Sequence, residues 1–147
     1  MLSPAAGRVL ALDLGRKRIG LAISDELGFT AQGLDTMERR GRREDIESLR
    51  RLAAARGVTQ FLMGNPLHMS GDESRQGDYT REFALELERK TGLPVDFRDE
   101  RWTSREAERT IRGAGVANDA RKQTIDKLSA VILLQSYLDS LSLERSR

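Results

Sequence analysis

Apolar and polar positions divide the chain into alternating strand and helix patterns. Residues 8–14, RVLALDL, are apolar apart from Arg8 and Asp13 and are bounded by glycine, which predicts a strand. Gly15 to Lys17 form a turn, and residues 18–24, RIGLAIS, form a second strand, so the pair is an antiparallel hairpin. Strand alternation puts Val9, Ala11 and Asp13 on one face and Leu10, Leu12 and Leu14 on the other. A third strand is expected within 29–37. Residues 43–56 place Ile46, Leu49 and Leu52–Ala53 on one helical face, and Gly57 stops that helix. A buried strand follows at 58–64, then a loop over 65–77, then a helix at 78–91 with Phe83, Ala84 and Leu87 inward, ended by Gly92. The remainder reads as a short strand at 93–100, a helix at 103–112, a small-residue loop at 113–119 and a long helix at 121–140. In that last helix Ile125, Leu128 and Ile132 are expected to pack inward, with Asp126 beside their stripe. The order, a β-meander followed by alternating β and α elements, implies an α/β fold: a mixed sheet flanked by helices on both faces.

The length, 147 residues, favours one domain over 1–147 with an ordered core at about 8–139. Hydrophobic residues make up 38% and charged residues 33%, which fits a soluble globular protein with a heavily charged exterior. No apolar run reaches the roughly 20 residues of a bilayer span, and MLSPAAGRV lacks the pattern of a secretory signal, so a cytoplasmic protein without membrane contact is expected.

The chain has no cysteine and one histidine, His68. Disulfides, thiolate zinc sites, a cysteine nucleophile and multi-histidine metal sites are therefore excluded. Chemistry must come from carboxylates, hydroxyls, lysines and arginines. The net charge is +2 and the isoelectric point about 9.3, with arginine concentrated in 39–56 and RK repeated at 16–17 and 121–122. Positive charge placed so unevenly suits either a polyanion such as nucleic acid or solvated helix faces.

Three acids stand beside or at the ends of predicted core elements: Asp13 near the end of the first strand, Glu100 with Asp99 at the end of another, and Asp126 in the last helix. Each has an ordinary explanation. An aspartate before glycine forms turns. Glu100 can pair with Arg98 or Arg101, and Asp126 can sit in the first turns of a helix, where the macrodipole favours an acid. If they converge, two carboxylates about 4 Å apart repel by roughly 4 kcal/mol at an effective dielectric of 20. A hard divalent cation, magnesium or manganese, relieves that repulsion and suits an all-carboxylate site. Such an ion clamps phosphates and activates water.

DLGRKRIGLAISD, GNPLHMSGDES, DERWTSREAE and IDKLSAVILLQSYLD resemble, in order, four signature blocks of the YqgF (RuvX) family, over about residues 8 to 139. These are ribonuclease H-like proteins described as Holliday junction resolvases and as nucleases that mature the 5′ end of pre-16S ribosomal RNA. The resemblance implies that Asp13, Glu100 and Asp126 are catalytic and hold Mg2+ or Mn2+, with Asp99 assisting. It makes Lys17, Arg18 and Arg101 candidates for substrate phosphate contacts. The block around Gly64, Pro66 and Gly71 reads as a structural turn. Trp102, Asn65 and Ser129 depart from the family pattern, and none is a proposed metal ligand. Trp102 is open to base stacking or to burial, and His68 to proton transfer or to a loop hydrogen bond.

The expected function is metal-dependent hydrolysis of phosphodiester bonds in structured nucleic acid. RNA of a ribosome precursor is favoured as substrate, with branched DNA as the alternative and the oligomeric state open. An actin-like or sugar-kinase ATPase shares the strand, D-x-G, basic turn, strand pattern of LDLGRKRIGLAIS, but it needs two such domains, and no Walker-type loop occurs. A non-catalytic RNA-binding ribosome-assembly factor is the rival from another class, and intact acids at all three positions speak against it.

Overall fold

The computed structural model describes residues 7–65, 72–99 and 118–145, with the side chains of 65, 72–76, 99, 118–126 and 144–145 outside the description. Strands β1 (Arg8–Leu14), β2 (Arg18–Ser24) and β3 (Ala31–Glu38) form the meander. Helix α1 (Arg42–Arg56), strand β4 (Val58–Asn65), helix α2 (Asp72–Thr91), strand β5 (Val95–Asp99) and helix α3 (Asn118–Arg145) follow. The sheet order is β3-β2-β1-β4-β5. β1 pairs antiparallel with β2 and parallel with β4, and β4 pairs parallel with β5. This is the mixed sheet that the sequence predicts.

β1 is the central strand, and its two faces carry different side chains. Leu10 and Leu12 join Ile19, Leu21, Ile23, Phe61 and Met63 in a core of large residues. Ile46, Leu49 and Ala53 of α1 and Phe83, Ala84 and Leu87 of α2 cover that side, as their periodicity requires. Val9 and Ala11 face the other way, with Ala22 and Leu62, against Ala130, Leu133, Leu134 and Leu138 of α3. Small side chains on this second face let the helix come close. At Gly33 in β3, an added Cβ would stand 2.7 Å from Cε of Lys127 and 3.2 Å from Cγ2 of Val131.

Three expectations need correction. α2 begins at Asp72, inside the stretch read as loop, and runs through Gly77. Gly77 is buried there; a glycine inside a helix costs about 1 kcal/mol relative to alanine, a cost that packing can outweigh. α3 starts at Asn118 and not at 121, so Asp126 lies two turns inside it, beyond the first-turn reach of the macrodipole. The inward stripe of α3 is Ala130, Leu133, Leu134 and Leu138, whereas Leu128 and Ile132 are half-buried. The shallow sheet face accepts the alanine side of the helix, and Asp126 falls on that stripe at four residues before Ala130. The expected helix at 103–112, the loop at 113–117 and residues 66–71 lie outside the described residues.

One buried ion pair joins the elements on the large-residue side. Arg39, just after β3, donates from Nε to Oδ2 of Asp45 in α1 at 2.7 Å. It also donates from Nη1 to the Gly15 carbonyl at 2.8 Å and from Nη2 to the Tyr79 hydroxyl of α2. Its guanidinium lies 5.4 Å from the Tyr79 ring centroid and 5.7 Å from that of Phe83. Its backbone N–H donates to the Lys17 carbonyl at 2.9 Å. Asp45 also accepts from the Arg40 N–H at 3.0 Å, just ahead of a helix whose N-cap, Gly41, has no side chain to offer. The two side chains are 13% and 2% exposed, so desolvation is severe and each charge needs the other.

Breaking a buried pair strands a charge. Arg39→Met is expected to destabilise the protein by about 3–5 kcal/mol in denaturant unfolding, with much of the loss recovered in the Arg39→Met/Asp45→Leu double variant. Gly33→Val is expected to lower stability by about 1–3 kcal/mol, because the Val131 side chain must give way; the same unfolding measurement reads it.

Candidate active site

The parallel strands β1, β4 and β5 end together on one side of the sheet. Asp13, the penultimate residue of β1, is half-buried on the α3 face, in the line of Val9 and Ala11, with Gly20 of β2 as its register partner. On the other side of β1, Leu12 pairs with Met63, so Gly64 and Asn65 extend β4 past this level. Asp99 closes β5 opposite Asn65.

α3 crosses this face in a fixed direction. Its Tyr137 hydroxyl accepts from Nε2 of Gln60 at 2.9 Å and donates to Oδ2 of Asp96 at 3.3 Å. Gln135 accepts from the Ala31 N–H at 2.9 Å. Gln60 lies near the start of β4 and Ala31 at the start of β3, where β2 ends. From there the helix runs back to Lys127, over Gly33.

β5 shows the same parity. Asp96 and Arg98 both reach Tyr137, the latter with its guanidinium 6.0 Å from the ring centroid, so even-numbered positions of this strand face α3. Burial among these groups pushes the Tyr137 hydroxyl pKa up. Glu100, Arg101, Trp102 and His68 lie outside the described residues. The strand register thus places Asp13 and the backbone position of Asp99 at one end of the sheet, and Asp126 lies on α3 one residue before Lys127. Among the described residues no three acids or histidines form a group able to hold a metal ion.

The basic turn is well defined. The Gly15 N–H donates to the Arg18 carbonyl at 3.0 Å, and Arg39 holds the Gly15 and Lys17 carbonyls. Lys17 and Arg16 are exposed, and Arg18 is half-buried at the start of β2, opposite Glu38. In the sequence Arg39 counted only toward the positive charge of 39–56, although an arginine between a strand and a helix with an acid six residues on was the available signal. No described helix is long and apolar enough to cross a membrane.

Comparison with known proteins agrees with this arrangement. The family model described as "RuvX: Holliday junction resolvase" matches residues 7–140. A protein of Koribacter versatilis named "Putative pre-16S rRNA nuclease" is 44% identical over 147 residues, covering 99% of this chain and 96% of its own length. One of the same name from Clostridioides difficile is 42% identical, covering 90% and 94%. Among solved structures, T. thermophilus RuvC in complex with a Holliday junction substrate aligns with a TM-score of 0.57 at 14% identity, over 92% of this chain and 96% of that one. Fowlpox virus resolvase, in complex with Holliday junction DNA, aligns at 0.56 and 15%, over 91% and 98%. These two likenesses establish the ribonuclease H-like fold. With the family model spanning nearly the whole chain, the central acid at the end of β1 and the sheet order all in agreement, this chain belongs to the RuvX Holliday junction resolvase family.

Proposed function

We propose that the chain is a single cytoplasmic nuclease domain that hydrolyses phosphodiester bonds in structured nucleic acid with a divalent metal ion. The observation that carries this reading is Asp13: a half-buried carboxylate at the carboxyl end of the central strand, on the face covered by α3, in a chain of the RuvX family. Asp126, two turns into α3 on the stripe that meets the sheet, is the second ligand. Glu100 is the third; it follows Arg98 by two residues, the spacing at which a strand returns to the same face. Asp99 assists. Carboxylate oxygens alone make a hard donor set that fits Mg2+ or Mn2+. When bound there, the ion supplies Lewis acidity toward the phosphate and a water of lowered pKa. The chain's own residues hold and orient. The acids would fix the ion through their oxygens, Lys17, Arg18 and Arg101 contact substrate phosphates, and the turn held by Arg39 sets the distance from Lys17 and Arg18 to Asp13. The products are a 5′-phosphate and a 3′-hydroxyl.

RNA of a ribosome precursor is the favoured substrate, because relatives 42% and 44% identical carry the name "Putative pre-16S rRNA nuclease". A branched DNA junction is the second reading, favoured by the family description. Purified protein should cleave one of these, structured RNA or a four-way DNA junction, only with magnesium or manganese, and Asp13→Asn should lower the rate at least about 100-fold, the scale on which one electrostatic contact to the transition state acts. Binding without cleavage in the parent protein would favour an assembly factor instead.

Metal binding is separately testable, because a ligand that binds only the folded state stabilises it. At about 100 times its dissociation constant the ion should add about 2.7 kcal/mol, read as a rise in Tm on titration with manganese. Asp126→Asn should remove most of that gain. A parent protein indifferent to the ion contradicts the ligand set.

A further inference from the structure

The basic turn beside Asp13 continues into a row of cations outside the residues assigned so far. Arg18 pairs in register with Glu38, and the Lys17 carbonyl accepts from the Arg39 N–H. Arg16 and Lys17 therefore lie alongside Arg39 and Arg40, where the chain passes from β3 into α1. Arg40 and Arg43 then line a groove between the end of β3 and the outer side of α1. Arg16, Lys17, Arg40 and Arg43 are exposed and have no ion-pair partner among the described residues. Their neighbours behave differently. Arg39 is committed to Asp45, Arg42 to Glu82 and Glu86, and Arg50 and Arg51 to Glu47.

The acids of the groove divide in the same way. Asp45 is neutralised by Arg39, and Arg50 with Arg51 holds the Glu47 carboxyl down at about 2. Glu38 and Glu44 remain in the groove against Arg40 and Arg43, and Arg16 and Lys17 add two cations toward the turn, none of the four with an ion-pair partner among the described residues. The row keeps a positive excess, and it begins at the turn beside the candidate active site.

We propose that Arg16, Arg40 and Arg43 extend the Lys17 contact into a track for the phosphodiester backbone, which holds the arm of a structured nucleic acid flanking the scissile bond. Two strand spacings, about 10 Å, separate β1 from β3, so the track engages phosphates about three nucleotides, at about 3.4 Å of rise each, from the one that reacts. Exposed, hydrated cations of this kind act by displacing counterions from the backbone; they add affinity without reading sequence. The assignment rests on the nuclease reading, and the test separates the two.

The experiment measures binding of a fluorescent structured RNA, a four-way DNA junction and a dinucleotide to Asp13→Asn protein, across a salt series. Adding Arg40→Gln and Arg43→Gln should weaken binding of the long ligand about tenfold at physiological salt. It should also reduce the slope of log Kd against log salt by about 1.5–2, close to one per lost phosphate contact. The dinucleotide, too short to reach the groove, should bind both proteins alike. Arg16→Gln should lower the slope by about 1 more. Unchanged affinity and slope for the long ligands, with the parent binding them, would overturn the track. Failure of the parent to bind either long ligand would instead overturn the nuclease reading. Thermal unfolding should be the same with and without the two groove substitutions, since both side chains are exposed and have no ion-pair partner among the described residues.

Discussion

The Arg39–Asp45 pair is the constraint on which the site side of the molecule depends. Neither charge tolerates burial alone, and both are nearly out of water. A guanidinium has enough donors in a fixed fork to serve Asp45, the Gly15 carbonyl and the Tyr79 hydroxyl together, and a lysine could not reproduce that geometry. One side chain therefore sets the start of α1, the seat of α2 and the turn after Asp13. The turn carries cations that must stay exposed, so it has few apolar contacts of its own. Its rigidity comes from a residue more than twenty positions later in the chain.

The second constraint is the asymmetry of the sheet. Large aliphatic and aromatic residues fill the side under α1 and α2, and this core supplies most of the apolar burial. Alanine and glycine dominate the middle of the other side, and α3 lies close against them. A helix set this near a sheet brings its own stripe within short reach of the strand ends. The shallow face is at once a packing solution and the reason Asp13 has a helix above it.

The arginines of this side divide by what they pair with. Arg39 and Arg42 tie α1 to the turn and to α2, whereas Arg50 and Arg51 pair with Glu47 within α1. Arg16, Arg40 and Arg43 are exposed and have no ion-pair partner among the described residues. Composition counts both kinds alike, so the modest net charge conceals a directional one.

Much was legible in the sequence. Strand alternation in RVLALDL assigned Asp13 to the small-residue face, because period two leaves no other choice. The hairpin, α1 and the inward residues of α2 followed from equally local rules. The four sequence blocks led to the family. What the sequence did not determine was the extent of α2, since Gly77 reads as a breaker until its burial is known. Nor did it determine the stripe of α3. That helix is apolar on more than one side, so its periodicity allowed Leu128 and Ile132 to turn inward, and only the shallow sheet face selected Ala130 and Leu134. The burial of Asp45 was likewise invisible, because its partner arrives from another element. Local pattern decides which face a residue takes within its own strand or helix; which charges become paired, and which stay free to meet a substrate, is decided only when distant segments compete for the same space.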